Sequence, residues 1–94
     1  MIQKEIRRAI ETGKVVFGRE ETIKSAKLGK SKLIVVSKNC PYAKTIKYYS
    51  ENFSLPVYEF DGDSKKLGAA CKKPFPISAL SVIDPGKSKI LELK

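Results

Sequence analysis

The 94-residue sequence predicts an α/β protein, a three-layer α/β/α sandwich with a small central mixed sheet, folded as one domain over residues 1–94. Three observations carry this expectation. Segments with helical spacing alternate with short β-branched runs, and such alternation implies a sheet covered by helices on both faces. Glycine and proline punctuate the changes of period. Hydrophobic residues make up 41% of the chain, enough for a modest core without a metal or disulfide staple.

Ile2, Ile6, Ala9 and Ile10 recur at helical spacing and Gly13 follows as a stop, so residues 3–12 read as a helix. Residues 14–17 are a short buried strand ended by Gly18. Residues 19–28 form a second helix, with Ile23 and Ala26 inward and Lys24 and Lys27 outward, and Gly29 ends it. Residues 32–37 are the strongest β-branched run. Pro41 suits the first turn of a third helix reaching about residue 53, with Tyr42, Ile46, Tyr49 and Phe53 on one face. After Pro56 come a strand over 57–60, a turn at Asp61-Gly-Asp63, and a fourth helix over 64–70 with Leu67, Ala70 and Cys71 inward. Residues 77–83 read as a strand. Asp84-Pro-Gly-Lys87 has Pro and Gly where a type II turn requires them, so residues 89–93 are expected to return as a hairpin partner.

Nineteen basic residues against ten acidic ones leave a net charge of +9, which points to a polyanionic partner. The lysines run from Lys4 to Lys94 rather than gathering in a tail. The longest apolar runs, Val15-Val-Phe17 and Leu33-Ile-Val-Val36, are far too short to span a bilayer, and the N-terminus has no apolar signal segment. A soluble, cytoplasmic protein with no membrane partner is expected. There is no histidine, which removes the commonest general base and metal ligand. Two cysteines, Cys40 and Cys71, define neither a disulfide framework nor a metal site. A non-enzyme without cofactor is therefore the expectation.

Three segments are candidates for the partner. In Cys71-Lys-Lys-Pro-Phe-Pro-Ile-Ser78, Phe75 is held between Pro74 and Pro76 beside Lys72 and Lys73. An aromatic in a stiff basic loop suits stacking on an unpaired base while the lysines meet phosphates; the rival reading has Phe75 closing the edge of the core. Gly18-Arg-Glu-Glu-Thr22 lies at a strand-to-helix junction, where amide groups attract anions and a glycine admits another backbone. Glu20 and Glu21 there are equally what the helix dipole favours, and on this segment alone that reading leads. Lys38-Asn-Cys-Pro41 sits at the carboxyl end of the strongest strand, where open α/β sheets bind ligands. Asn39 either reads a base edge or caps the third helix.

Two resemblances follow from these residues. Val36-Ser-Lys-Asn-Cys-Pro-Tyr-Ala43 resembles the active-site entry of glutaredoxins, where a cysteine before a helix becomes a nucleophilic thiolate. That likeness implies a single-thiol redox protein using Cys40, although Ala43 replaces the second cysteine and a helix and strand precede the motif. The broader resemblance spans about residues 5–91. It runs through Thr12-Gly-Lys-Val-Val-Phe-Gly18, Thr22-Ile-Lys-Ser-Ala-Lys-Leu-Gly-Lys-Ser-Lys-Leu-Ile-Val-Val36, Lys47-Tyr-Tyr49, Val57-Tyr-Glu-Phe60, Leu67-Gly68 and residues 78–86. In these the chain is similar to the family of ribosomal protein thirty of the archaeal and eukaryotic large subunit. That family falls within the superfamily of small α/β/α proteins that bind kink-turn RNA.

The resemblance implies a ribosome-bound protein contacting kink-turn ribosomal RNA and other ribosomal proteins, monomeric when free; a non-ribosomal kink-turn protein is the alternative. It implies an RNA surface from Gly18, Arg19, Glu21 and Lys24, from Lys38 and Asn39, and from Lys72, Lys73, Pro74, Phe75 and Pro76, with Phe75 at the family's stacking position. Glu20 departs from the basic or amide residue common in relatives, whereas Glu21 matches the glutamate the superfamily uses.

Overall fold

The computed structural model describes residues 2–92, in the order α1 (Ile2–Thr12), β1 (Lys14–Phe17), α2 (Arg19–Lys27), β2 (Leu33–Val36), α3 (Ala43–Asn52), β3 (Val57–Glu59), α4 (Ser64–Ala70), β4 (Ala79–Asp84) and a 3₁₀ turn at Ile90–Glu92. The four strands form one mixed sheet in the order β1-β4-β2-β3, with β4 antiparallel to both neighbours and β3 parallel to β2.

Alternation along the strands divides the core between the two faces. Leu33, Val35, Leu80 and Val82 pack with Ile6 and Ala9 of α1 and Leu67 and Ala70 of α4. Ile34, Val36 and Ala79 turn the other way, against Ala26 of α2 and Ile46 of α3. This is the expected α/β/α sandwich. On the α2 face Ser81 takes a strand position facing inward, and its hydroxyl is satisfied by Ser25 at 2.8 Å and Ser31 at 2.7 Å. Burial without those partners would be unfavourable.

Two expectations are corrected. Residues 89–93 do not return as a strand: β4 already has β1 on one edge and β2 on the other, so no edge remains for a hairpin partner. The turn after Asp84 does form, with the Gly86 N–H on Asp84 Oδ1 at 2.9 Å. The chain then passes to α1, where the Lys89 N–H donates to Glu5 Oε1 at 2.8 Å and Ile90 enters the core as a 3₁₀ turn. Leu93 lies outside the described residues. The third helix begins at Ala43, not at Pro41. Before it, Cys40 N–H donates to the Ser37 carbonyl and Ala43 N–H to the Cys40 carbonyl, a tight turn that leaves Pro41 ahead of the helix. The second strand and the last strand differ from expectation by one or two residues at their ends.

Candidate nucleic-acid interface

Strand registers bring the three candidate segments together. Phe17 pairs with Leu80, and Val36 pairs with both Ala79 and Glu59. The carboxyl ends of β1, β2 and β3 therefore meet the amino end of β4 along one edge of the sandwich. Gly18, Lys38 and Asn39, and the loop of residues 72–76 all emerge there. Backbone bonds sew them in place: Gly18 N–H to the Ala79 carbonyl at 3.0 Å, Ser37 N–H to that of Ser78 at 2.8 Å, and Lys38 N–H to that of Gly62 at 2.8 Å.

Gly18 caps α2 at φ +93°, a conformation that side chains disfavour, and open space lies where its Cβ would be. A partner's backbone has room to approach the first turn of α2. Arg19 and Glu20 face the α3 side of that helix, and Glu21 faces the β1 side. Lys24 is about 7.5 Å further along the axis, on the flank of the sandwich rather than at its edge.

Asn39 does not cap α3. Its Oδ1 accepts from the Ser64 N–H at 2.9 Å and the Ser37 hydroxyl at 3.0 Å. The Ser64 N–H can only donate, so the oxygen is fixed toward the protein and the amide nitrogen is turned to the exposed side. Asn39 thus presents two donors suited to an acceptor such as a base carbonyl or a phosphate oxygen. Lys38 meets Asp61 at 3.7 Å, but both side chains are well exposed, so this pair is weak and open to competition by a phosphate.

Phe75 is 51% exposed and belongs to neither core cluster, which favours a ring free for a partner over the core-edge reading. The loop beneath it is nonetheless fixed. Gly68 of α4 lies directly under it, where any side chain would collide with the Phe75 carbonyl. Lys72, at φ +58°, donates its N–H to the Ala69 carbonyl, Lys73 donates to that of Gly68, and Ile77 donates to that of Ser64. The Lys73 ammonium lies 5.2 Å from the centre of the Phe17 ring, joining this loop to the end of β1. Phe75, Pro74 and Pro76 share a shallow depression of about 340 Å³ with Lys65.

Sequence reasoning missed Ser37 and Ser64, which aim Asn39, and Phe17 and Lys65, which flank the loop. Ser64 is 25 residues from Asn39, so only tertiary proximity reveals the bond. For Lys65 the α4 capping signature was legible, since Asp63 accepts the Lys66 N–H at 3.0 Å. Which loop the helix start faces was not.

Cys40 lacks the electrostatics of a redox thiol. Burial pushes its thiol above the ordinary value, against a smaller opposing effect of the Tyr42 backbone N–H, and α3 starts three residues later. A nucleophilic thiolate requires the opposite shift. Burial likewise pushes the Cys71 thiol up to about 11. No group of acidic, cysteine or histidine side chains among the described residues could hold a metal ion, and no described helix is long and apolar enough to cross a membrane.

The fold is shared with a protein of unknown function from Bacillus halodurans C, which superimposes with a TM-score of 0.84 over 97% of this chain and 92% of that one at 22% identity. This small α/β/α sandwich defines the class. Residues 1–92 match the ribosomal protein L7Ae/L30e/S12e/Gadd45 family, and the chain belongs to that family. Among its relatives is the large ribosomal subunit protein eL30 of Methanothermobacter thermautotrophicus, 46% identical over 98% of this chain and 96% of the relative. The eL30 protein of Methanocaldococcus jannaschii is also 46% identical, over 98% and 86%. That of Pyrobaculum calidifontis is 45% identical, over 98% and 93%.

Proposed function

We propose that this protein is a structural constituent of the large ribosomal subunit that binds a kink-turn element of ribosomal RNA through the sheet edge bearing Gly18, Asn39 and Phe75. The observation that carries the reading is Asn39, whose amide donors are aimed outward by Ser64 and Ser37 beside an exposed Phe75. The relatives' names support residence in the large subunit.

Each group has a distinct task in the proposed complex. Lysines and arginines neutralise phosphates crowded at the bend and supply most of the affinity. Gly18 lets the RNA backbone reach the start of α2, where Arg19 and the amide groups meet it, while Asn39 donates to base-edge acceptors in the widened groove. Glu21 can accept from an exocyclic amino group, and Lys24 follows the strand down the flank. Phe75 covers a base thrown out of the bulge. Pro74, Pro76 and the bonds to α4 hold its loop before binding, so less ordering entropy is lost. No catalytic step is required, and the free protein is a cytoplasmic monomer that joins the ribosome through RNA.

The test compares two RNAs of equal length at matched salt. One carries a three-nucleotide bulge flanked by sheared G·A pairs, and the other is a plain duplex. The kinked RNA should bind more tightly, and affinity should fall with salt at a log–log slope of roughly −0.7 to −0.9 per phosphate neutralised. Equal affinity for the two would reduce the protein to a nonspecific basic binder. Sedimentation of the tagged protein with large subunits from native cells tests residence in the particle.

A further inference from the structure

The outer faces of α2 and α3 line a groove of about 450 Å³ that runs from the sheet edge at Arg19 down the flank. Its floor holds Ile23 and Tyr49, and Leu28 at one end is 57% exposed. Phe53 continues the apolar strip, stacked on Tyr49 with centroids 6.4 Å apart and itself 45% exposed. The rim carries Arg19, Lys24 and Lys27 against a single carboxylate, Glu20. Ile23, Leu28, Tyr49 and Phe53 make one contiguous apolar strip inside a cationic rim, the pattern of a docking surface rather than of singly scattered apolar residues.

Aromatic and cationic groups together also suit single-stranded RNA, but the geometry disfavours that occupant. Stacking a base requires a free ring face. Tyr49 is already engaged by its own chain: the Lys27 ammonium lies 5.2 Å from its centroid, Phe53 stacks on it, and Tyr48 meets it edge-on at 5.3 Å. Within the groove lining the other apolar residues, Ile23 and Leu28, are aliphatic and offer a base no stacking partner, and Phe53, outside that lining, gives one ring face to Tyr49. A helix, by contrast, fits a groove between two helices. The lining runs along α2 from Arg19 to Leu28, about 14 Å, room for more than two turns of a partner.

We infer that the α2–α3 groove docks an amphipathic helix of another protein, with apolar side chains on Ile23, Leu28 and Phe53 and carboxylates beside them toward Lys27, at the end of the groove away from the RNA contacts of Arg19 and Lys24. The inference rests on residence in the large subunit, not on kink-turn recognition.

The test places benzoyl-phenylalanine at position 28, or at position 48 where the first does not assemble, in large subunits purified from cells. Irradiation should join it to one protein segment whose apolar residues recur at helical spacing with Asp or Glu beside them. Lys27→Glu should lower the yield of that product about five- to tenfold by repelling those carboxylates. A synthetic peptide of the segment should shift the amide resonances of α2 and α3 in the free protein. Lys27→Glu should leave affinity for the bulged RNA within about threefold, since the charge lies about 12 Å along α2 from Arg19 at the sheet edge, more than a Debye length away, and itself meets no RNA. Cross-links to RNA or to a basic segment overturn the inference, as does a yield no higher than with the probe at Glu11. A protein present in the subunit without the product fails this inference alone. A protein absent from the subunit fails it together with the reading it rests on.

Discussion

Replacing Asn39 with aspartate separates folding from recognition. In the folded chain the Asn39 oxygen accepts from Ser64 N–H and the Ser37 hydroxyl, and a carboxylate at the same place accepts both. Stability of Asn39→Asp should stay within about 1 kcal/mol of the parent, as no buried packing is lost. Binding should not survive so well. The substitution removes the outward amide donors, and leaving an RNA acceptor unpaired costs about 1–3 kcal/mol. It also adds a negative charge among phosphates, worth about another 1 kcal/mol after screening. Together, a loss of about 2–4 kcal/mol corresponds to roughly 30- to 700-fold in affinity. The assay is titration of the bulged RNA at fixed salt by fluorescence anisotropy, with thermal unfolding of the free protein alongside. Asn39→Ala should lose binding and also stability, because it strands the Ser64 N–H at the start of α4. Unchanged RNA affinity in a folded Asn39→Asp protein would refute the role of the outward amide.

Phe75→Ala should weaken RNA binding by about 1–3 kcal/mol with little dependence on salt, since stacking releases no counterions. Because Phe75 is half-exposed, its loss should destabilise the free protein by no more than about 1 kcal/mol, against about 3–5 kcal/mol for a buried Phe; a larger drop with intact affinity would contradict the stacking role. Lys72→Ala and Lys73→Ala should instead flatten the salt slope, measured as log affinity against log salt. Cys40→Ser should leave fold and RNA affinity largely intact, and the parent thiol should titrate above its ordinary range; glutathione-dependent exchange lost in Cys40→Ser would revive the redox reading. The Lys89 N–H, followed by the Ser88 hydroxyl, holds the Glu5 carboxyl below its ordinary value. Its contribution to stability is therefore present above the unfolded pKa and lost as pH falls through the lower folded one. Melting temperature should fall more steeply on acidification in the parent than in Glu5→Gln, and parallel curves would discount this contact.

What the sequence determined by itself is local. Helical spacing in residues 3–12, the β-branched run around Leu33 to Val36 and the prolines beside Phe75 each encode their conformation within a few neighbours. Apolar alternation in β2 and β4 likewise dictated that the sheet be covered on two faces. The position of the candidate surface at the carboxyl ends of strands followed from topology that such a pattern implies. Long-range pairing decided the rest. Nothing in residues 84–93 tells that β4 is central, and only its pairing with both β1 and β2 turns a promising hairpin into a 3₁₀ turn against Glu5. Asn39 has the same short polar side chain whether it caps a helix or faces a ligand. Its direction comes from a backbone N–H far along the chain, in a loop that packing of α4 brings alongside. The α2–α3 groove was illegible for a related reason: Tyr49 and Phe53 read as part of one apolar helix face, and only the packed structure leaves Phe53, with Leu28 across the groove, partly in water. Local conformation depends on neighbours in sequence, whereas exposure and aim depend on which distant segments arrive.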